Sequence, residues 1–173
     1  MTIENSSETR KIIIMGVSGS GKTRVGQALA QALEIPFYDA DNFHSADNIE
    51  KMSQGSPLTD LDRAQWLADL ALLLQQPSAL VLACSALKFE YRQRLRQGNP
   101  DIVFIYLQGD FDTIVERLNQ RQEHYFKGAQ MLRSQFETLE PPVTTEAALI
   151  VNIDQPFEQV VAACLEMLRH EAE

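Results

Sequence analysis

The sequence predicts an α/β fold with three layers, in which a parallel β-sheet is covered by helices on both faces. Short apolar runs of strand length alternate along the chain with longer segments of helical periodicity. The apolar runs are continuous, as in strands buried on both faces. A glycine-rich segment joins the first run to the first helical segment. We therefore expect a single domain at 11–173, preceded by a disordered polar lead at 1–10.

Each strand is predicted from an apolar run and each helix from apolar spacing or a terminating signal. Pro77-Ser78, Gly98-Asn99-Pro100 and Pro141-Pro142 interrupt the pattern, and Thr59 is a predicted helix N-cap. The segment 123–128 is polar, and we expect it to be exposed. The predicted strands are 12–15, 36–38, 79–84, 102–107 and 148–153, and the predicted helices are 23–32, 59–76, 88–97, 112–121, 131–139 and 157–169.

The composition excludes several classes of protein. The net charge is -9, with 15 Lys and Arg in total, which argues against a nucleic-acid partner. No apolar run reaches the length of a membrane span, and the polar N-terminus has no signal core, so we expect a cytoplasmic protein. Cys84 and Cys164 lie in apolar stretches and are predicted to be buried, reduced thiols. No His and Cys spacing is typical of a zinc site.

The glycine-rich segment is a phosphate-binding loop of the pattern G-x-x-x-x-G-K-[ST], also known as Walker A. Its backbone N–H groups and the following helix N-terminus bind the phosphates of a nucleotide such as ATP. Lys22 neutralises charge on the β and γ phosphates, and Thr23 offers a hydroxyl to Mg²⁺. A turn without a ligand requires neither group. The predicted nucleotide-binding residues are Gly16, Val17, Ser18, Gly19, Ser20, Gly21, Lys22 and Thr23.

The rest of the chain narrows the kind of P-loop NTPase. Motor ATPases usually have an acidic residue at the end of a neighbouring strand, but here the third strand ends in Cys84-Ser85-Ala86. The D-x-x-G and N-K-x-D segments of regulatory GTPases are absent from the sequence. We therefore expect a small phosphotransferase that closes over two substrates.

An acidic segment follows the second strand, where an open parallel sheet binds its ligands. Asp39 is placed to hold the hydration shell of Mg²⁺, and Asp41 to accept the proton of an attacking hydroxyl or to orient it. An Asp-rich turn with ordinary capping explains the segment equally well. Its position after the phosphate loop favours the functional interpretation. His44 alone is weak evidence for a ligand.

Basic residues at the same edge of the sheet suggest an anionic acceptor. Ser85 opens a helix whose amides can meet an anion, and Lys88 and Arg92 add charge one turn apart. The alternative is a solvated basic helix face. Arg63 is a third candidate, although neighbouring acids could make it a surface ion pair.

A small lid is predicted at roughly 117–135. Arg117 and Arg121 lie on one helical face, from which they could reach the transferring phosphoryl group. The alternative is a solvated face on which Glu116 pairs with them. We favour the lid because a kinase must exclude water to avoid hydrolysing its triphosphate.

Together these segments resemble the bacterial gluconate kinase family (gluconokinase), a P-loop group similar to the shikimate and nucleoside-monophosphate kinases. The resemblance covers nearly the whole chain from Ile12, and the C-S-A-L-K and Q-F-x-x-L-E-P segments are its most specific parts. The matching segments are 16–23 (GVSGSGKT), 39–44 (DADNFH), 48–52 (NIEKM), 55–63 (GSPLTDLDR), 66–67, 84–88 (CSALK), 91–92, 117–126, 135–141 (QFETLEP) and 152–156 (NIDQP).

The resemblance implies ATP-dependent phosphorylation of D-gluconate to 6-phosphogluconate by a homodimer. It implies that Asp41 acts at the acceptor hydroxyl and that Gln155 lies near the adenine. Departures from the family pattern occur at Ala40, Ser45 and Ala46-Asp47, where a cation is lost near His44. That loss shifts contact with the acceptor carboxylate toward Lys88 and Arg92. Another small-molecule kinase of this fold and a nucleotide-binding regulator without catalysis remain alternatives.

Overall fold

The structure, a computed structural model, describes residues 10–120 and 125–171. Its sheet has five parallel strands in the order β2-β3-β1-β4-β5. The central β1 pairs with strands on both sides, so that Ile13 faces Leu82 of β3 and Phe104 of β4 in register. The strands are β1 Lys11–Met15, β2 Phe37–Asp39, β3 Leu80–Ala83, β4 Val103–Gln108 and β5 Leu149–Asn152.

Successive residues of β1 point to opposite faces of the sheet, and both faces are covered. Ile12 and Ile14 belong to the core beneath α1 and α7, whereas Ile13 and Met15 belong to the core beneath α3 and α4. This arrangement confirms the predicted three-layer fold. The helices are α1 Lys22–Leu33, α2 Ala46–Ser53, α3 Asp60–Leu74, α4 Phe89–Arg96, α5 Phe111–Gln120, α6 Tyr125–Thr138 and α7 Phe157–Glu171.

The short elements depart most from the sequence prediction. Helix α2 and the 3₁₀ turns Ala40–Phe43 and Thr144–Glu146 were not expected from periodicity. They span too few residues to show a periodic apolar face, although Ser45 does cap α2 by accepting from the Asn48 N–H. Helix α6 begins at Tyr125, six residues before the predicted start at Met131.

The sheet is extended on both sides of β1, because β3 lies next to it on one side and β4 on the other. At such a switch point the loops leaving the carboxyl ends of neighbouring strands diverge and open a crevice. The phosphate loop leaves β1 at this point. The predicted lead falls mostly on residues 1–9, which lie outside the described part of the chain.

Two further predictions concern buried thiols and membranes. Cys84 and Cys164 are free and buried, as expected. Burial raises the pKa of Cys84 to about 12 and that of Cys164 to about 11, so both thiols stay protonated at neutral pH. Within residues 10–120 and 125–171, no helix has the length and apolar character needed to span a membrane.

Candidate active site

The phosphate loop occupies the crevice between β1 and α1. Its backbone turns through left-handed conformations at Gly19 (φ 80°) and Gly21 (φ 97°), which side chains rarely adopt. A Cβ on Gly19 would also lie 3.0 Å from side-chain atoms of Ile114 and Leu118. No side chain caps the first turn of α1, so its N–H groups remain free for an anion. The loop borders a cleft of about 600 Å³.

Lys22 and Thr23 lie at the start of α1 and line this cleft. The Lys22 ammonium donates to the Val17 carbonyl at 2.9 Å and so lies back on the loop. Burial lowers the pKa of Lys22, although Asp41 opposes the shift. The Thr23 hydroxyl donates to Asp39 Oδ2 at 2.8 Å, which joins the loop to the end of β2. The structure thus brings together the predicted phosphate-binding residues and the predicted metal-binding residues.

Asp41 follows Asp39 on the 3₁₀ turn and lines the same cleft. Its backbone N–H donates to Asp39 Oδ1 at 3.0 Å, which fixes the turn. Desolvation by the surrounding protein raises the pKa of Asp41, and the negative charge of Asp39 raises it further. Lys22 and His44 oppose the rise, but the pKa remains above its ordinary value. A carboxylate with a raised pKa is a stronger base than an ordinary aspartate.

His44 lines a second pocket together with Asp41. Its ring stacks on Trp66 at 4.2 Å between centroids, and the Trp66 indole N–H donates to the Ala40 carbonyl at 2.8 Å. Burial lowers the pKa of His44, the nearby Arg63 lowers it further, and Asp41 opposes both. His44 is therefore a neutral ring at pH 7, which can donate or accept a hydrogen bond but supplies no cation.

Arg63 supplies the positive charge in this second pocket, which we call the acceptor pocket. Its guanidinium donates to the Leu58 carbonyl at 2.7 Å and to the Tyr91 hydroxyl at 3.0 Å. Tyr91 in turn donates to Asp60. Arg63 is only partly exposed, and two partners hold one of its nitrogens in place. A partly exposed arginine held in this way is well placed to bind a carboxylate. The acceptor pocket is lined by Asp41, His44, Met52, Pro57, Leu58, Arg63, Trp66, Ser85, Leu87, Met131, Ser134, Gln135 and Thr138.

Lys88 does not line either pocket among the described residues. Its ammonium pairs with Asp60 at 3.1 Å, and the same carboxylate accepts from the hydroxyl of Tyr91. The hydrogen bond from Lys88 to Asp60 raises the pKa of Lys88. Lys88 therefore neutralises the carboxylate that accepts from Tyr91. Its connection to the acceptor pocket is indirect, through Asp60, Tyr91 and Arg63.

Arg92 corrects the sequence interpretation, because it does not face an acceptor. The side chain is fully buried and pairs with both carboxylate oxygens of Glu146, at 2.6 and 3.1 Å. It also donates to the carbonyls of Ala86 at 2.8 Å and Glu140 at 3.0 Å. Ala86 has a positive φ of 47°, an uncommon conformation for alanine. Arg92 thus stabilises the strained turn that carries Ser85, and its spacing in the sequence gave no sign of this burial.

Ser85 lies between the two pockets and belongs to the lining of both. Its carbonyl accepts from the Gly16 N–H at 3.3 Å, which ties the end of β3 to the phosphate loop. Of the described residues, three line both pockets. They are Asp41, Ser85 and Gln135.

A third pocket, of about 340 Å³, opens on the other side of the phosphate loop. Gln155 and Arg117 line it, as do Gly21, Arg24 and Phe157. Arg117 donates to the Ile153 carbonyl, and Arg24 lies over the Phe157 ring at 4.1 Å. Arg117 therefore lies beside the predicted adenine contact Gln155, and its reach to the transferring phosphoryl group stays a prediction. Arg121 falls outside the described residues.

Sequence reasoning missed several residues of the site. Trp66, Tyr91 and Gln135 stood in the segments that carried the family resemblance, but spacing alone assigned them no role. Arg24 and Phe157 fall within predicted helices, and the sequence analysis assigned them no role. The sequence places these residues in or near predicted ligand-binding segments. That position alone does not show where a side chain points.

The chain is similar to several characterised families. The Shikimate kinase family model matches residues 18–169. A thermoresistant gluconokinase from Escherichia coli (strain K12) is 49% identical over 162 residues, which cover 91% of this chain and 92% of that protein. A gluconokinase crystal structure from Sinorhizobium meliloti 1021 superposes with a TM-score of 0.90 at 40% identity, covering 95% of this chain and 94% of the other.

A more distant structure supports the fold alone. The shikimate kinase from Aquifex aeolicus vf5 is 20% identical, with a TM-score of 0.57 over 94% of this chain and 98% of the other. Its match confirms the parallel-sheet kinase architecture.

Proposed function

This chain belongs to the gluconokinase family, and we propose that it transfers the γ-phosphoryl group of ATP to D-gluconate, forming 6-phospho-D-gluconate. The observation that carries the proposal is the junction of two pockets at Asp41. One pocket is built around a phosphate loop, and the other contains a partly exposed arginine. A phosphoryl acceptor that carries both a hydroxyl and a carboxylate fits this pair.

ATP would bind across the phosphate loop. The loop N–H groups and Lys22 would hold the β and γ phosphates, where Lys22 stabilises negative charge that develops during transfer. The pocket that contains Arg117, Gln155 and Phe157 would take the adenosine part. Its arginine and aromatic ring suit a flat heterocycle.

Magnesium fits the residues at the end of β2. Thr23 and Asp39 place a hydroxyl and a carboxylate 2.8 Å apart beside the loop, and both are hard oxygen donors. No cluster of three or more His, Cys, Asp or Glu occurs in the part of the chain that the structure describes. That suits Mg²⁺, which binds through one or two protein groups together with substrate phosphates. When bound, the metal would neutralise phosphate charge.

Gluconate would occupy the acceptor pocket with its carboxylate on Arg63. Its C6 hydroxyl would then point toward Asp41, which orients the hydroxyl and accepts its proton as the phosphoryl group is transferred. The raised pKa of Asp41 supports this role because it strengthens the base. The lid predicted at 117–135, which includes Arg121, would exclude water, and Arg117 at its start would contact the adenosine part of ATP.

We also propose a homodimer and a cytoplasmic location. The homodimer rests on the family resemblance, and the location rests on the composition of the sequence. Sedimentation of the purified chain measures the oligomeric state directly.

An acceptor screen tests the proposed function. Coupled ADP release with Mg·ATP would be measured for gluconate, shikimate, AMP and no acceptor. We expect turnover with gluconate well above the background without acceptor. Turnover with shikimate or AMP and none with gluconate would favour another kinase of this fold. ATP binding with no acceptor-dependent turnover would favour a nucleotide-binding regulator.

A further inference from the structure

Gln135 lies on α6, three residues before the end of the helix at Thr138, and lines both the phosphate cleft and the acceptor pocket. Its side-chain oxygen Oε1 accepts from the Ser18 N–H at 2.6 Å. Of the other described residues common to both pockets, Asp41 is the proposed base, and the carbonyl of Ser85 accepts from the Gly16 N–H. Gln135 is a further residue at the place where a phosphoryl group would cross from donor to acceptor.

The Ser18 N–H belongs to the loop whose N–H groups bind phosphate oxygens. The carboxamide oxygen of Gln135 accepts from this N–H in the same way as a phosphate oxygen would. A phosphate oxygen at this N–H would therefore take the place of Gln135 Oε1. The amide would then be free to use its NH₂ group, which offers two donors.

The surrounding contacts hold Gln135 over the loop. Phe136 packs edge-on against Phe111 at 5.8 Å, and the neighbouring Leu132 is fully buried. Beyond the helix, the Glu140 N–H donates to the Leu87 carbonyl at 2.7 Å. The helix is thus anchored on both the α5 side and the β3 side. The amide can rotate away from Ser18 while its backbone stays beside both pockets.

We propose that Gln135 is a positioning residue that exchanges partners when the triphosphate binds. Without nucleotide, Oε1 occupies the Ser18 N–H and competes with phosphate. With nucleotide, the released amide donates to the oxygens of the γ-phosphate or of the acceptor and holds them together. This inference rests on the proposed kinase function, but its first half concerns nucleotide binding alone.

The test uses Gln135→Leu, which keeps the approximate size and removes both hydrogen-bonding groups. Binding of Mg²⁺ with a non-hydrolysable ATP analogue is measured by calorimetry without acceptor, and kcat and KM are measured with gluconate. We expect the analogue to bind about threefold to tenfold more tightly, because the competing hydrogen bond is lost. We expect kcat to fall about tenfold or more, because the amide no longer positions the reacting groups.

Two further variants make the test specific. Gln135→Ala repeats it if the leucine variant does not fold, and Gln93→Leu, at an exposed position of α4 outside both pockets, is the matched control. The control is expected to match the unsubstituted protein in both readouts. Unchanged or weaker analogue binding in both Gln135 variants overturns the exchange, and so does an unchanged kcat. If the unsubstituted protein does not phosphorylate gluconate, the proposed function fails, whereas the calorimetric result still decides whether Gln135 competes with phosphate.

Discussion

The phosphate cleft and the acceptor pocket meet at Asp41, but they are built in different ways. The phosphate side is built around one continuous segment, Gly16 to Thr23, which presents backbone N–H groups. The acceptor pocket is assembled from side chains far apart in the sequence, such as His44, Arg63 and Met131. A local motif therefore identifies the first pocket, whereas the second depends on how distant elements pack.

The same contrast distinguishes two arginines near the acceptor pocket. Arg63 is partly exposed and lines the pocket, whereas Arg92 is buried against Glu146. The sequence analysis named both as candidates for contact with an anionic acceptor. A basic residue near the ligand-binding edge of the sheet can therefore bind a ligand, as we propose for Arg63, or stabilise a loop at that edge, as Arg92 does for the turn at Ala86.

The largest expected effect on activity comes from substituting Asp41, which lies where the two pockets meet. Asp41→Asn removes the base but keeps the size of the side chain, so kcat should fall about 10²- to 10⁴-fold. ATP affinity, measured by calorimetry, should change little because the phosphate loop is intact. Asp47→Asn, an exposed position on α2, is the matched control. A variant that retains the full rate would show that Asp41 is not the base.

The next test separates Arg92 from recognition. Arg92→Met leaves the buried Glu146 carboxylate with Arg96, at 3.3 Å, as its one remaining cationic partner among the described residues, and we expect a loss of about 3–5 kcal/mol in the free energy of unfolding. Urea denaturation at pH 7 measures it. The exposed pair of Arg94 and Glu90 provides the control Arg94→Met, which should cost about 0.5 kcal/mol.

The pH dependence of the same variant has a definite sign. Burial acts to raise the pKa of Glu146, but hydrogen bonds from Arg92 and the Val143 N–H outweigh it, so the pKa lies below 4.5. The stabilisation is present above the unfolded pKa and is lost as the pH falls through the folded pKa. The stability difference between Arg92→Met and the unsubstituted protein should therefore shrink below pH 4.5. A difference that stays constant to lower pH would contradict the ion pair.

Arg63→Gln is expected to act on one substrate only. Loss of a charged hydrogen bond to the acceptor carboxylate should raise the KM for gluconate about 10- to 100-fold. The KM for ATP should change less than twofold, since Arg63 does not line the phosphate cleft. Arg63→Lys, which keeps the charge, should restore part of the loss. Equal increases in both KM values would indicate a general disturbance and not a carboxylate contact.

The smallest expected effect is a shift in the pH profile. Because the pKa of Asp41 is raised, the acidic limb of kcat/KM for gluconate should lie above the ordinary value of 3.8. Activity should be lost as the pH falls through the raised pKa, since the protonated carboxyl cannot accept the hydroxyl proton. A limb at or below 3.8 would remove the argument for a desolvated base.

Much of the fold could be predicted from the sequence because strand burial on two faces requires continuous apolar runs, as in 12–15 and 79–84. The phosphate loop could also be predicted, because all residues of its binding pattern lie in one continuous segment, 16–23. Arg92 was misread and Gln135 was missed because their roles depend on partners, Glu146 and Ser18, that are far away in the chain. The position of Arg117 beside Gln155 was not foreseen for a similar reason, because helical spacing does not show which pocket a face meets.

The most direct test of the central claim is the product itself. Mg·ATP and gluconate would be incubated with the protein, and the product examined by proton-coupled ³¹P NMR. Transfer to the C6 hydroxyl predicts a phosphomonoester triplet, because the phosphorus couples to the two hydrogens on C6. Inorganic phosphate alone would show hydrolysis without acceptor transfer, and a doublet would place the phosphate on a secondary hydroxyl. Either result would contradict the proposed meeting of C6 and Asp41 between the two pockets.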